Sequence, residues 1–396
     1  MSRPWRTQPS RALLISPLAA VLLITLAAGT AAAAASVPVA ACQSWTSIPP
    51  PSPGTSDNEL GGVTALSPCN VWAVGGYRNM GSTQGLSLAE HWNGTTWKVM
   101  PTPSPGSQVN FLLAVSAVSA TNIWAVGNTS DGPADTTFIL HWNGRTWNQV
   151  PSPSPGSDFN GLSGVAAVSA TSAWAVGVYS TGGIQKTLIL RWNGTRWAKT
   201  ASPAPADGSA LTAVTATSAR NAWAVGDTFT STTGSTLVLH WNGTKWKRVT
   251  SPNPAGPVTE VILSGVAATS ATNAWAVGGF STGSGAGATI ALHWNGQAWK
   301  RMPSPNPTSE TNLFGVAATS ATNAWAVGRY RANSLDKTLI IHWNGRAWKQ
   351  VGSPSAGGDS LLTGVAASSG SNVWAVGEFR VSNTTAPLQV LALHCC

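Results

Sequence analysis

The sequence predicts an all-β protein, a seven-bladed β-propeller with four-stranded antiparallel blades, on the basis of three repeated features. Trp-Ala-Val-Gly occurs seven times at intervals of 49 to 52 residues, beginning at Trp72, Trp124, Trp174, Trp223, Trp275, Trp325 and Trp374. A leucine stands twelve residues before each of these tryptophans, at Leu60, Leu112, Leu162, Leu211, Leu263, Leu313 and Leu362. A Trp-Asn-Gly motif recurs six times, with its asparagine at Asn93, Asn143, Asn193, Asn242, Asn295 and Asn344. A period near fifty residues is typical of blades of about four short strands that stack around a ring.

The repeat that begins at Leu162 predicts the four strands of a blade. Residues 162–168 are small and apolar, which suits an innermost strand at a crowded ring centre. Residues 173–178 carry Trp-Ala-Val-Gly and form the second strand, and residues 187–192 form the third. Asn193-Gly194 predicts a two-residue type I′ hairpin, the fourth strand surrounds Trp197, and a proline-rich return follows. By this scheme the blades start near residues 60, 112, 162, 211, 263, 313 and 362.

The last blade is predicted to be split between the two ends of the chain. Residues 388–394 match a third strand, but the sequence has Cys395-Cys396 where the hairpin should follow. Residues 42–49 match an outer strand followed by a proline-rich return. We therefore expect residues 42–49 to supply the outer strand of blade seven and to close the ring.

The first 35 residues have the composition of a secretory signal peptide. Three arginines precede an almost wholly apolar stretch and then a run of alanines. We expect cleavage near Ser36, a single propeller domain over residues 36–396, a secreted, extracellular monomer and no stable membrane insertion after cleavage. Two alternatives are an uncleaved anchor, because the apolar stretch reaches the length of a spanning helix, and a cell-surface lipoprotein, because residues 39–42 resemble a lipobox ending at Cys42.

The whole repeat resembles the kelch-like and related tryptophan-rich propeller repeats of secreted bacterial proteins. The shared pattern is a hydrophobic strand ending in glycine and then a tryptophan on the outer strand, at about fifty residues per blade. A double glycine of the kelch kind occurs at Gly75-Gly76 and Gly278-Gly279. The resemblance implies a propeller over essentially all of the mature chain.

The formal net charge of +9 does not predict nucleic-acid binding. Most of the lysines that follow the last tryptophan of a repeat belong to predicted outer strands, where lysine prevents edge-to-edge aggregation. Charges spread around a rim do not form the single basic patch that nucleic acid needs. We expect no nucleic-acid partner.

No motif in the sequence predicts a metal or a cofactor. Histidine precedes the hairpin position in six repeats, but blade three has Arg191 there, which a metal ligand would not tolerate. The histidines and the repeated tryptophans are interpreted as strand and packing residues.

The predicted binding face combines the loops between second and third strands with the proline-rich returns. Both differ between blades, and variable loops on a rigid scaffold are where binding residues tend to lie. Aromatic residues open six of the loops: Tyr77, Tyr179, Phe229, Phe280, Tyr330 and Phe379. Acidic residues stand three positions before four inner-strand leucines: Asp57, Glu260, Glu310 and Asp359. The alternatives are that the aromatic residues only cap blade interfaces and that the acidic residues only cap loops.

Two hypotheses of function follow from these features. The first is a non-catalytic scaffold that binds an extracellular protein or glycan, and the second is a carbohydrate-active enzyme, a glycoside hydrolase or lyase, that uses the acidic residues at the channel mouth. Sparse charge and variable loops favour the first hypothesis, and the fold alone does not decide.

The four cysteines are predicted to form two disulfide bonds at the closure of the ring. Secretion permits disulfides, and the predicted turns bring Cys42, Cys69, Cys395 and Cys396 to one seam. Because a bond between adjacent cysteines strains the backbone, we expect Cys42 and Cys69 to pair with Cys395 and Cys396.

Overall fold

The computed structural model describes residues 44–205, 208–230, 232–254, 258–282, 287–381 and 386–396, with only the backbone described at 258 and 259. The predicted signal peptide, its cleavage site and Cys42 lie outside the described residues. None of the residues that the structure describes forms a helix long and apolar enough to cross a membrane.

The described residues form 28 strands in seven sheets. In chain order the strands are β1 (Thr46–Ser47), β2 (Asp57–Ser67), β3 (Asn70–Arg78), β4 (Gly85–Trp92), β5 (Trp97–Val99), β6 (Val109–Ser119), β7 (Asn122–Ser130), β8 (Asp135–Trp142), β9 (Trp147–Gln149), β10 (Phe159–Ser169), β11 (Ser172–Thr181), β12 (Ile184–Trp192), β13 (Trp197–Lys199), β14 (Ser209–Ser218), β15 (Asn221–Phe229), β16 (Gly234–Trp241), β17 (Trp246–Arg248), β18 (Val258–Ser270), β19 (Asn273–Thr282), β20 (Gly287–Trp294), β21 (Trp299–Met302), β22 (Thr311–Ser320), β23 (Asn323–Ala332), β24 (Leu335–Trp343), β25 (Trp348–Val351), β26 (Ser360–Ser369), β27 (Asn372–Arg380) and β28 (Leu388–Cys395).

The predicted seven-bladed propeller and its closure are confirmed. Blades one to six each contain four consecutive antiparallel strands, and blade seven has the order β1-β28-β27-β26. Thr46 pairs with His394 and Ser47 with Leu393. The outer strand of blade seven therefore comes from the N-terminal side, although only two of its predicted residues have strand geometry.

The core is a ring of seven interfaces between neighbouring blades. The tryptophan of each Trp-Ala-Val-Gly motif is buried and reaches the outer part of the next blade. Trp72 packs 4.9 Å from Trp142 and 5.5 Å from Trp147 between ring centroids. At the closure Trp374 lies 5.2 Å from Trp97, so blade seven packs on blade one in the same way. Burial of such rings contributes about 2 to 3 kcal/mol each.

The glycine of Trp-Ala-Val-Gly is required by close backbone contact. A Cβ on Gly75 would lie 1.8 Å from the carbonyl oxygen of Glu59 on the inner strand. The inner strand carries a β-bulge next to this contact, between Leu60 and Gly62. A side chain at this glycine would push the first and second strands apart, which explains why the motif keeps glycine in every blade.

The predicted type I′ turn at Asn-Gly is wrong. Trp92 pairs with Trp97, so four residues connect the strands, and of the two motif residues only Gly94 has a positive φ, of 99°. Asn93 Oδ1 accepts hydrogen bonds from the backbone N–H groups of Thr95 and Thr96, both at 3.0 Å. The asparagine side chain stabilises the turn as an Asx turn, which competes with the two-residue hairpin.

Two of the connections between second and third strands are tight hairpins. Gly182 and Gly183 have φ values of 61° and 74°, and Asn333 and Ser334 have values of 52° and 64°. Positive φ at both central residues is the signature of a type I′ turn. Blades three and six therefore pair their second and third strands over nine residue pairs, one more than the other blades.

The prediction of two disulfide bonds that use all four cysteines is not met. Cys69 and Cys396 are free, whereas Cys395 is buried and is not a free thiol. A Cβ on Gly94 would lie 3.1 Å from Cys69 Sγ, so Cys69 packs on the hairpin of its own blade, as Thr121 packs on Gly144 in blade two. This packing directs the Cys69 side chain to its own hairpin and leaves it unpaired. Pairing of Cys42 with Cys395 stays a prediction.

Candidate functional site

The histidine positions form a structural ring and not a site. His342 stacks on Trp325 with centroids 4.0 Å apart, and its Nε2 lies 2.6 Å from Asn323 Oδ1. A histidine–asparagine pair of this kind occurs in every blade except blade three, where Ser172 and Arg191 replace both partners and Arg191 lies over the Trp174 ring. Burial lowers the pKa of all six histidines. No group of three metal-ligating side chains occurs among the described residues.

We call the surface formed by the second-to-third connections and the starts of the inner strands the loop face. Neighbouring blades are joined there by hydrogen bonds. The Gly85 N–H in blade one donates to the Gln108 carbonyl in blade two at 2.8 Å, and Asn110 Nδ2 donates to the Gly85 carbonyl at 2.8 Å. The loop face is therefore a continuous surface held by the scaffold, which is suited to position binding residues.

The six predicted aromatic residues all lie on the loop face, but on strand ends and not at loop tips. Tyr77, Tyr179, Phe280, Tyr330 and Phe379 occupy equivalent positions, each pairs with an inner-strand residue, and each packs against a blade core. Phe229 stands one residue further along and pairs with Gly234. All six are half-buried. The first five therefore pack against blade cores, and the role of all six as ligand contacts stays a prediction.

The four predicted acidic residues are spread over blades one, five, six and seven. Asp57 pairs with Arg78 across the first two strands, and Glu260 is exposed at the start of the inner strand of blade five. Glu310 lies 3.8 Å from Arg331, and Asp359 accepts a hydrogen bond of 2.9 Å from the Asp336 N–H. The last contact is loop capping, whereas Asp57 and Glu260 remain open to solvent on one side.

The charges of the protein are sorted by face. Of the acidic side chains that the structure describes, Glu90 is the only one off the loop face. The loop face carries eleven: Asp57, Glu59, Asp131, Asp135, Asp158, Asp227, Glu260, Glu310, Asp336, Asp359 and Glu378. Six basic residues share it: Arg78, Lys186, Arg329, Arg331, Lys337 and Arg380. The remaining described lysines and arginines lie on outer strands, on one third strand and in turns of the opposite face. The loop face is acidic although the whole chain is basic.

Several loop-face carboxyl groups have raised pKa values. Burial, and then the neighbouring Glu59, raises the pKa of Glu378 to about 7. Burial and Glu260 raise the pKa of Asp227 to about 6. These pairs join adjacent blades, since Glu378 belongs to blade seven and Glu59 to blade one. The sequence does not reveal these pairs, because the residue after Trp-Ala-Val-Gly differs in character from blade to blade: Gly76, Asn128, Val178, Asp227, Gly279, Arg329 and Glu378.

Large apolar side chains are exposed mainly on the loop face. Met80 and Val381 follow second strands, Ile184 and Leu335 begin third strands, and Met80 is 77% exposed. Val99 on an outer strand is the remaining exposed large hydrophobic residue of the described chain. Leu335, Val381 and Met80 belong to the consecutive blades six, seven and one, respectively. Sequence analysis did not single them out, although each follows or begins a strand at a loop tip.

Neither a family model nor a curated protein matches the sequence. Solved structures similar to this chain include "YCF48 bound to D1 peptide", with 15% identity and a TM-score of 0.53 over 89% of this chain and 96% of that one. YCF48 from Cyanidioschyzon merolae has 16% identity and a TM-score of 0.50, covering 88% and 98%. The GH74 xyloglucanase from Xanthomonas campestris has 14% identity and a TM-score of 0.54 over 88% of this chain, which spans 55% of the enzyme.

These similarities support the propeller fold alone, because all the identities are low. The resemblance to kelch-like repeats remains one of sequence pattern.

Proposed function

We propose that the protein is a secreted, non-catalytic scaffold that binds an extracellular protein through its loop face. The observation that carries the proposal is the concentration of exposed large apolar side chains there. Met80, Ile184, Leu335 and Val381 gain nothing for the fold from exposure, and apolar residues rimmed by charges are typical of protein interaction sites. A similar structure, that of YCF48, was solved with a bound peptide, so a propeller of this kind can present a peptide-binding surface.

Secretion and the monomeric state belong to this proposal. The N-terminal sequence supports export, and attachment through a lipid on Cys42 is the alternative that mass spectrometry of the exported protein distinguishes. Sedimentation of the exported protein tests the monomer.

The test is an unbiased peptide display against the mature protein, followed by affinity measurements on the selected peptides. A Met80→Ser/Leu335→Ser variant should weaken binding by at least about tenfold, because buried apolar contacts dominate such interfaces. The triple variant Tyr77→Ala/Tyr179→Ala/Tyr330→Ala should also weaken it. The control is Lys98→Ser/Lys300→Ser/Lys349→Ser on the outer strands, which should bind normally. Selected peptides that lose affinity only in the lysine variant would place the site on the rim.

A carbohydrate-active enzyme is the second candidate, and one observation favours it. Glu378, with a pKa of about 7, neighbours the carboxyl group of Glu59. Glycoside hydrolysis requires a carboxylic acid with a raised pKa beside a second carboxylate. Hydrolysis of xyloglucan or another polysaccharide that is lost in Glu378→Gln, Glu59→Gln or Asp57→Asn, but kept in Asp131→Asn, would establish this function.

A further inference from the structure

Two of the cavities that open on the loop face lie beside a double glycine. We call them notch one, between blades one and two, with a volume of about 110 Å³, and notch two, between blades five and six, with a volume of about 300 Å³. Notch one is lined by Gly76 of the pair Gly75-Gly76, and notch two by Gly279 of the pair Gly278-Gly279. The other five blades carry a side chain at this position.

The notches are equivalent by position in the repeat. The acidic residues Asp57 and Glu260 both stand three residues before the inner-strand leucine, and Gly85 and Gly287 both begin the third strand. The Gly85 N–H donates to Gln108 O at 2.8 Å, and the Gly287 N–H donates to Ser309 O at 2.5 Å. Gln108 and Ser309 also occupy equivalent positions in the next blade. The two notches thus share the same backbone arrangement, and each has an acidic residue at its edge.

A neighbouring blade partly covers each second glycine. A Cβ on Gly76 would lie 2.5 Å from Phe111 Cδ2, and a Cβ on Gly279 would lie 1.9 Å from Asn312 Oδ1. Any larger residue at these glycines would have to displace the covering side chain. The notches therefore depend on glycine, and they are fixed features of the scaffold.

Each notch presents two carboxylates on an acidic face. Asp57 and Glu59 line notch one together with Arg78, and Glu260 and Glu310 line notch two together with Arg329, so each notch holds two carboxylates and one guanidinium. Glu310 also lies 3.8 Å from Arg331 at the edge of notch two. The charge of Arg329 is satisfied by Asp336, whose Oδ1 lies 2.6 Å from Arg329 Nη1. Sites for small molecules have volumes of about 300 Å³ or more, and neither notch exceeds this value. Cavities of this size suit single side chains of a larger partner.

We infer that the two notches each take a lysine or arginine side chain from one basic segment of the protein partner. This inference rests on the proposed function and names the partner's chemistry. The acidic surroundings attract the positive head group, and the apolar walls, such as Phe111 in notch one and Phe314 in notch two, pack on the aliphatic stem. Two sites on one rigid scaffold raise the affinity of a segment that spans both.

The test uses three probes by calorimetry at low salt: an eight-residue lysine peptide, an eight-residue glutamate peptide and a xyloglucan oligosaccharide. The lysine peptide should bind and the glutamate peptide should not. The double variant Asp57→Asn/Glu260→Gln should weaken lysine-peptide binding by at least about tenfold, and each single variant by less. The matched control is Asp131→Asn, which removes one charge from the same face outside both notches and should change affinity by less than about twofold. Thermal unfolding verifies that each variant is folded.

Four outcomes would overturn the inference. The first is that the lysine peptide does not bind. The second is that the notch variants and Asp131→Asn lose affinity equally, which would indicate attraction by the charge of the whole face. The third is that the oligosaccharide binds and its binding depends on Asp57 and Glu260, which would indicate a glycan ligand. The fourth separates this inference from the proposed function. If displayed peptides bind through Met80 and Leu335 but ignore Asp57 and Glu260, the scaffold function stands and the basic-segment inference fails.

Discussion

Glu90 is a core residue at which blade one departs from the sequence repeat. Six blades place leucine or isoleucine at this position of the third strand, and blade one places glutamate. Its side chain is fully buried, neither carboxyl oxygen has a hydrogen-bond partner, and burial raises its pKa to about 8. Burial is the cause of the shift, and no charged group contributes to it. Such a group is neutral in the folded protein at neutral pH and costs free energy when ionised.

Glu90 makes the folded protein less stable as the pH rises. Its folded-state pKa of about 8 exceeds the ordinary value of 4.5, so the folded state holds a proton that the unfolded state has lost between these values. The free energy of unfolding should therefore fall by about 1.4 kcal/mol per pH unit across this window. Glu90→Leu should raise Tm, and the gain over wild type should grow from pH 5 to pH 8. A gain that is independent of pH in chemical unfolding experiments would contradict the assignment.

The exception in blade three tests the structural role of the histidines. Asparagine and histidine are replaced together at Ser172 and Arg191, and Ser172 Oγ is buried without a partner. The double variant Ser172→Asn/Arg191→His should restore the pair found in blade six, where His342 Nε2 lies 2.6 Å from Asn323 Oδ1. We expect a favourable coupling of about 1 kcal/mol relative to the single variants in a double-mutant cycle. Additive effects would show that the hydrogen bond contributes nothing to stability.

At the scale of the element, the outer strand of the split blade makes the fewest contacts of the seven outer strands. Its outer strand has two residues, Thr46 and Ser47, whereas the other outer strands have three or four. Trp45 anchors this strand by its contact with Trp325, at 5.6 Å between centroids, and is buried. Cys395 occupies the place that a second tryptophan, Trp92, takes in blade one. At the closure one tryptophan therefore packs on the neighbouring blade, whereas two tryptophans do so in the other blades.

We expect Trp45→Ala to release the outer strand of blade seven before the ring unfolds. Trp147→Ala removes the equivalent tryptophan from an uninterrupted blade and should lower stability by about 3 to 5 kcal/mol without a separate early transition. Hydrogen exchange should show loss of protection at the Ile48 amide, whose N–H donates to the Ala392 carbonyl at 2.9 Å, in the Trp45 variant under native conditions. Full protection there would mean that the strand does not depend on Trp45.

The strands of the blades could be predicted well because the pattern of each strand repeats seven times. Features that depend on a single residue could not be predicted in this way. The tryptophan spacing and the missing hairpin after His394 predicted blade number and closure correctly. The turn at Asn93 was predicted wrongly, because the asparagine side chain bonds the two following N–H groups and the motif's dipeptide does not show this. The notches could not be predicted, because they depend on contacts between two blades and not on one motif. The residue after Trp-Ala-Val-Gly varies, and the effect of Gly76 depends on Phe111 of the next blade.

At the scale of the whole molecule, the sorting of charge predicts how pH acts on the loop face. The pKa of Glu378 is about 7 and that of Asp227 about 6, and the pKa of Glu59 is also raised, in each case by burial first. The charged groups that act on Glu378 are Glu59, Arg380 and Asp57, and Glu260 acts on Asp227. A fall from pH 8 to pH 5.5 protonates Glu378 and most of Asp227 and removes negative charge from the face.

The same protonation should have opposite effects on folding and on binding. Because these folded-state pKa values are raised, the folded protein gains stability as the pH falls through them, while the loop face becomes less attractive to a basic segment. The six histidines act on folding in the opposite direction, because burial lowers their pKa values and the folded protein loses stability as the pH falls below their ordinary value of 6.5. In a Glu90→Leu background, the carboxyl contribution is therefore measured as the difference in Tm between this parent and Asp227→Asn/Glu378→Gln, and the Tm of the parent should gain on that of the variant from pH 8 to pH 5.5. The affinity of the parent for the eight-residue lysine peptide should fall by at least about twofold over the same range, and the affinity of the variant should change less. If binding instead strengthens at pH 5.5, the acidic carboxyl groups of the loop face are not what the peptide contacts.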